Sequence, residues 1–132
     1  MAADLSVTSE LAAIEATLQT YFDGLYDGDV DKLAEAFHPV AHLYSVSSEA
    51  EVADLPLAEW LRIVAGRASA RARGDARLDR VVTIDQSGPA TAFAKVQCQL
   101  PPRYFTDYLS LLKVEGRWRI VSKSFHTDTR EA

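Results

Sequence analysis

Cysteine is almost missing from this sequence: Cys98 stands alone among 132 residues. An intrachain disulfide is therefore impossible, and no cysteine-rich zinc site can be assembled. Cys98 itself reads as a packed thiol rather than a nucleophile. Long apolar runs are missing as well. No window approaches the roughly 18 to 20 uncharged residues that a membrane-spanning helix requires, and the start Met1-Ala2-Ala3-Asp4 lacks the basic-then-apolar plan of a secretory signal. The expectation is a cytoplasmic protein with no membrane role. Positive charge is in deficit. Fourteen Lys and Arg against 19 Asp and Glu give a net charge of -5, which repels polyanions and argues against a nucleic-acid partner. Glycine-rich phosphate loops, Gly-x-Ser-x-Gly elbows and His-Glu-x-x-His helices do not occur, so no bound cofactor is indicated and standard hydrolase, nucleotide and metalloprotease chemistries drop out. The three histidines, His38, His42 and His126, are too scattered to suggest a metal site.

What is present is an ordinary globular composition, 48% hydrophobic and 25% charged, in a chain of single-domain size. One domain over residues 1–132 is expected, with residues 1–8 frayed. Leu11, Ile14, Leu18, Tyr21, Phe22 and Leu25 recur at three- and four-residue steps, which predicts a helix closed by Gly28. Asp29 can cap a second helix carrying Leu33, Ala36 and Phe37 and stopped by Pro39. Val40 to Val46 suits a strand, and Asp54 and Pro56 predict the start of a third helix with Leu57, Trp60, Leu61 and Val64 on its apolar side, ending near Arg73-Gly74. The period then shifts to two. Leu78 to Gln86, Ala90 to Leu100, Tyr104 to Val114 and Trp118 to His126 read as four strands joined by short turns, hence an antiparallel meander. Helices in front and strands behind make an α+β plan with one sheet face covered by helices.

This order of elements resembles the cone-shaped nuclear transport factor 2-like fold, three N-terminal helices packed on a strongly curved antiparallel sheet, and within it the lumazine-binding group. The resemblance covers Leu18 to His126. It rests on Tyr21-Phe22-Asp23-Gly24-Leu25-Tyr26-Asp27-Gly28-Asp29, on Ala36-Phe37-His38-Pro39, and on Phe105 to Lys113 followed by Gly116 to His126. It implies a small-molecule pocket between helices and sheet, with an aromatic or pterin-like ligand. Val40 stands where the group usually has an aspartate, so no role for that carboxylate carries over.

Which side chains of the last hairpin face such a pocket depends on its register. A two-residue type I′ turn at Glu115-Gly116 needs positive φ at both residues, which glutamate disfavours. A three-residue loop, Val114-Glu115-Gly116, needs it only at the glycine and is the better fit. It pairs Lys113 with Arg117, Leu109 with Val121, Asp107 with Lys123 and Phe105 with Phe125, all on the face taken as concave. Tyr108, Ser110, Leu112, Trp118, Ile120 and Ser122 then lie outside. An apolar outer face needs a cover, and the expectation is a homodimer through Leu112, Trp118 and Ile120. The type I′ alternative would set Asp107 opposite Ser124 and Phe105 opposite His126.

Asp107 and Lys123, inward in a wall of Phe105, Phe125 and Leu109, are either a register-fixing salt bridge or a pair that orients a polar ligand. Trp60, Tyr21, Phe105 and Phe125 are the candidate ligand contacts, with Asp107 and Lys123 setting orientation. Tyr21 matches in position the helix-one tyrosine of ketosteroid isomerase, a member of the fold, whereas Ser45 occupies the place of that enzyme's general base. An alternative reading is therefore a cofactor-independent dehydratase, isomerase or cyclase using Tyr21 with Asp107 or His126, with His38, His126 and Asp107 as a reserve constellation. A third reading is a structural dimerisation module. Arg62, Arg67, Arg71, Arg73, Arg77 and Arg80 form a cluster that reads as a solvated helix end paired to nearby aspartates.

Overall fold

In the computed structural model, which describes residues 9–130, the elements follow the order α1 (Leu11–Asp27), α2 (Val30–Ala36), β1 (Phe37–Val46), β2 (Val52–Pro56), α3 (Leu57–Ala65), α4 (Ala70–Arg73), β3 (Asp79–Ser87), β4 (Thr91–Leu100), β5 (Arg103–Val114) and β6 (Arg117–Thr129). The fraying expected for residues 1–8 lies outside the described residues. The six strands form one open sheet in the order β2-β1-β6-β5-β4-β3. All pairings are antiparallel except β1 with β6.

The first helix forms as its periodicity dictates. Ile14, Leu18, Tyr21, Phe22 and Leu25 are buried along one side, and Gly28, at φ 65, supplies the left-handed C-cap. The Asp29 carboxylate accepts hydrogen bonds from the Asp31 and Lys32 amides and so starts α2. Gly24 lets the two helices touch: a Cβ there would stand 2.8 Å from Leu33 Cδ2.

The boundaries differ from the sequence expectation in three places. Phe37 leaves the helix and opens β1, where it is fully buried against Tyr21 and Trp60 at ring distances of 5.5 and 5.4 Å. Val52–Pro56 form a strand not foreseen, because β1 offers Leu43 and its neighbours as an antiparallel partner. Pro56 is thus the N-cap of α3 rather than its first turn. The third helix stops at Ala65, and Ser69 caps a separate short turn of helix that ends at Gly74.

The last hairpin corrects the predicted register. Its turn is the two-residue Glu115-Gly116, with φ 52 and 75, and Val114 pairs with Arg117. Leu111 pairs with Ile120, but Ser110 pairs with Ser122, so Val121 is an extra, bulged residue. A bulge inverts which side chains of the strand face the core. Trp118 and Ile120 therefore point inward before it, and Lys123 and Phe125 point inward after it. This overturns the placement of Trp118 and Ile120 on an outer dimer face: both are core residues. The indole N–H of Trp118 donates to Glu10 Oε1 at 2.9 Å, which satisfies its buried polar edge. Of the three residues expected at an interface, only Leu112 is exposed.

Candidate active site

Four elements converge on one buried polar chain. Tyr21 comes from the core side of α1, Cys98 from β4, Asp107 from β5 and Lys123 from β6. Lys123 Nζ donates to Tyr21 Oη at 2.7 Å, and the Tyr21 hydroxyl donates to Asp107 Oδ2 at 2.5 Å. The direct separation of Lys123 Nζ from Asp107 Oδ2 is 3.7 Å. The tyrosine thus bridges the ion pair. Asp107 is 0% exposed and Lys123 5%. Asp107 Oδ1 is buried with no hydrogen-bond partner among the described residues.

The ammonium of Lys123 is ringed by aromatic side chains. Its Nζ lies 4.9 Å from the Phe125 ring centroid, 5.1 Å from Trp60, 5.2 Å from Tyr21 and 6.0 Å from Phe105. Rings within about 6 Å of a cation can attract it through their π electrons, while Tyr21 meets this one through its hydroxyl. Phe105 and Phe125 meet edge to face at 6.1 Å. Burial pushes the Tyr21 hydroxyl well above the ordinary tyrosine range, and the adjacent Asp107 charge adds to the effect. Tyr21 accordingly keeps its proton and serves as a fixed hydrogen-bond donor to Asp107. Burial also raises the Cys98 thiol to about 12, with the Asp107 charge in support, so Cys98 is an inert packed thiol as expected.

Lys123 is the inner polar wall of a cavity of about 140 Å³. Leu25, Leu43, Leu55 and Leu100 supply its aliphatic lining, Trp60, Phe105 and Phe125 its aromatic one, and the half-buried Arg67, Arg103 and Thr127 complete it. Two larger grooves, of about 390 and 370 Å³, open on the surface beside α1 and beside the outer end of β4 and β5. The first is lined by Glu10, whose carboxylate is already taken by Lys113 and Trp118.

Of the residues singled out from the sequence, Trp60, Phe105, Lys123 and Phe125 line the 140 Å³ cavity together. Tyr21 and Asp107 do not line it. They stand behind Lys123, fully buried, and act on the cavity only through that amine. His126 does not join them. It alternates with the inward Phe125, is exposed, and lines the outer groove with Arg80 and Asp128. The His38, His126 and Asp107 constellation is therefore not assembled; His38 Nδ1 instead accepts from the Val40 amide at 3.1 Å. No cluster of three or more His, Cys, Asp or Glu side chains suited to a metal occurs among the described residues. No helix among them is long and apolar enough to cross a membrane.

Arg67 and Arg103 were not foreseen. One signal for Arg67 was available in the sequence: within its cluster it stands farthest from an acid, with Glu59 and Asp75 the nearest on either side. In the same cluster the expected pairing to aspartates holds for three, as Arg71 pairs with Asp27, Arg73 with Asp75, and Arg77 with Asp23 and Asp79, whereas Arg62 and Arg80 are exposed and have no carboxylate within 4.0 Å among the described residues.

The family model described as "Putative lumazine-binding" matches residues 9–126. The chain belongs to this family. Among solved structures, a lumazine-binding family chain of this shape is similar to an NTF2-like protein of unknown function from Shewanella baltica OS155, with a TM-score of 0.82 and 26% identity over 92% of this chain and 95% of that one. It is also similar in fold to a ketosteroid isomerase-like protein from Erwinia carotovora atroseptica SCRI1043, with a TM-score of 0.71 and 14% identity over 93% of this chain and 99% of that one. In sequence it is 29% identical over 127 residues to the aldolase FrzH of a Cladobotryum species, covering 93% of this chain and 95% of that protein. The α+β, nuclear transport factor 2-like architecture expected from the sequence is therefore the one found.

Proposed function

We propose that this lumazine-binding family member binds a small carbonyl compound in the cavity above Lys123, with the carbonyl oxygen accepting a hydrogen bond from the Lys123 ammonium. The observation that carries this reading is the placement of that ammonium. Three donors sit on Nζ, and one is used by Tyr21 at 2.7 Å while the amine lines a cavity whose nearest walls are the rings of Trp60, Phe105 and Phe125. A pair kept only for stability is a poor use of this position. Burying both charges costs several kcal/mol per ion, and apolar replacements of similar volume are often neutral or stabilising. The unpartnered Asp107 Oδ1 adds to that cost. A cavity of about 140 Å³ matches the roughly 150 Å³ of an engineered protein cavity that takes benzene, so one ring with short substituents fits better than a bicyclic pterin.

The test is a thermal-shift and calorimetric panel of single-ring aldehydes and ketones on the wild-type chain and on the double variant Lys123→Met/Asp107→Leu. A rise in melting temperature with carbonyl-bearing rings, absent in the double variant, is the expected result. No shift across the panel, or a shift that survives in the double variant, overturns the reading.

A second reading, turnover of the bound carbonyl, is favoured by the same donor and by the likeness to a protein named an aldolase. An ammonium fixed beside Tyr21 supports the negative charge that develops on a carbonyl oxygen when a neighbouring C–H bond breaks and its proton passes to solvent water, since no carboxylate lines the cavity to take it. Tyr21 and Asp107 would hold the amine in place as positioning residues. Deuterium exchange at the carbon beside the carbonyl, followed by NMR in heavy water, should be faster with the wild type than with the double variant; equal rates would leave binding alone.

A further inference from the structure

The cavity carries a charge pattern opposite to that of the chain around it. A protein of net charge -5 lines this one space with three cations, Lys123, Arg67 and Arg103, and with no carboxylate. Elsewhere Arg71, Arg73, Arg77 and Arg130 each meet an aspartate, Arg119 donates to the carbonyls of Ala34 and Phe37, and Arg62, Arg80 and Arg117, which have no such partner among the described residues, are exposed to solvent. Arg67 and Arg103 are both half-buried, and neither has a carboxylate within 4.0 Å among the described residues. Both guanidinium side chains line the same cavity. The Arg67 guanidinium is held below the usual arginine range, first by burial and then by the charges of Arg103 and Arg73. Arg103 also lies against the cavity wall, its Cζ 5.9 Å from the Phe105 ring centroid. Two guanidiniums left half-desolvated beside each other destabilise the empty fold, and a bound anion removes that cost.

We propose that the ligand is a carboxylic acid, with its ring among Trp60, Phe105 and Phe125, its carboxylate between Arg67 and Arg103, and its carbonyl toward Lys123. Guanidinium forks match a carboxylate in plane and spacing, which a neutral ligand cannot exploit. The positions of the cations set the orientation: the acid group stays with the two arginines and the ring with the aromatic lining. This rests on the carbonyl-binding reading above, and the experiment separates the two.

Phenylglyoxylate, which has a ring, a ketone and a carboxylate, is compared with its neutral amide by calorimetry on the wild type and on Arg67→Gln/Arg103→Gln. The acid should bind the wild type about tenfold or more tighter than the amide, a difference that a single charge-assisted hydrogen bond can supply. Added salt should narrow that gap. In the double glutamine variant the preference should vanish, with a cooperative urea unfolding transition reporting that the variant is folded. Equal binding of acid and amide to the wild type, or a preference that survives in the variant, overturns the carboxylate assignment while leaving the carbonyl site standing. Failure of both ligands to bind the wild type removes the carbonyl site and this assignment together.

Discussion

Asp107 and Lys123 do not face each other across the final hairpin: Asp107 lies opposite Phe125, Lys123 lies opposite Leu109, and the two meet on the diagonal through the hydroxyl of Tyr21. Diagonal neighbours on one sheet face are farther apart than direct ones, and the tyrosine fills the gap. The bulge at Val121 makes this possible, because it returns Lys123 to the same face as Asp107 after Trp118 and Ile120 have been turned into the core.

Removing one member of the pair should hurt far more than removing both. Lys123→Met alone leaves a buried aspartate without its cation and should cost about 3–5 kcal/mol, whereas Lys123→Met/Asp107→Leu should lie within about 1 kcal/mol of the wild type or above it. Urea unfolding of the three proteins decides this; a single variant as stable as the double would show that the charges are not energetically coupled.

The two inner-face and outer-face residues of the hairpin should separate cleanly. Trp118→Ala opens a core cavity and strands Glu10 without its indole donor, for an expected loss of about 3–5 kcal/mol. Leu112→Ser, on the exposed face, should change folding stability by only about 0.5 kcal/mol. Similar losses at both sites would contradict the bulged register.

The turn offers a gain in stability. Glu115 holds φ 52, a left-handed conformation that asparagine and glycine tolerate better than glutamate. Glu115→Asn should therefore stabilise the chain by roughly 0.5–1 kcal/mol, seen as a higher urea midpoint with an unchanged slope. A lower midpoint would argue against a type I′ turn.

Alkaline pH should loosen the fold for an identifiable reason. The Cys98 thiol loses its proton near 9.0 when unfolded and near 12 when folded. Between those values the unfolded chain binds fewer protons, so stability is complete below pH 9 and falls as pH rises toward 12. Tyr21, raised above 10.0, acts in the same direction. Cys98→Ala should flatten part of the decline in melting temperature, and a thiol reagent at pH 8 should label native protein far more slowly than unfolded protein. Rapid native labelling would contradict the burial of Cys98.

Much of the site was legible before any coordinates. Trp60, Phe105, Lys123 and Phe125 follow from helical and strand periodicity together with the fold resemblance, and all four line the cavity. Asp107 and Lys123 were placed on one face through a three-residue loop without a bulge. The actual two-residue turn and the extra Val121 each shift the phase by one, so the two differences cancel at Lys123. They do not cancel at Trp118 and Ile120, which lie before the bulge, and the expected dimer face was misplaced for that reason. His126 failed in the complementary way, since the same phase that turns Phe125 inward turns its neighbour out.

The sequence by itself determined the first helix, the caps at Gly28 and Asp29, the four C-terminal strands and the alternation within β5, because each is a property of contiguous residues and short-range sterics. Only the tertiary structure decided where β6 bulges, since that depends on which distant side chains Trp118, Ile120 and Lys123 must meet. It alone also brought Arg67, from the loop after α3, beside Arg103, at the start of β5. Charge repulsion and desolvation act through space, and no local pattern in the chain records how close two such residues will come.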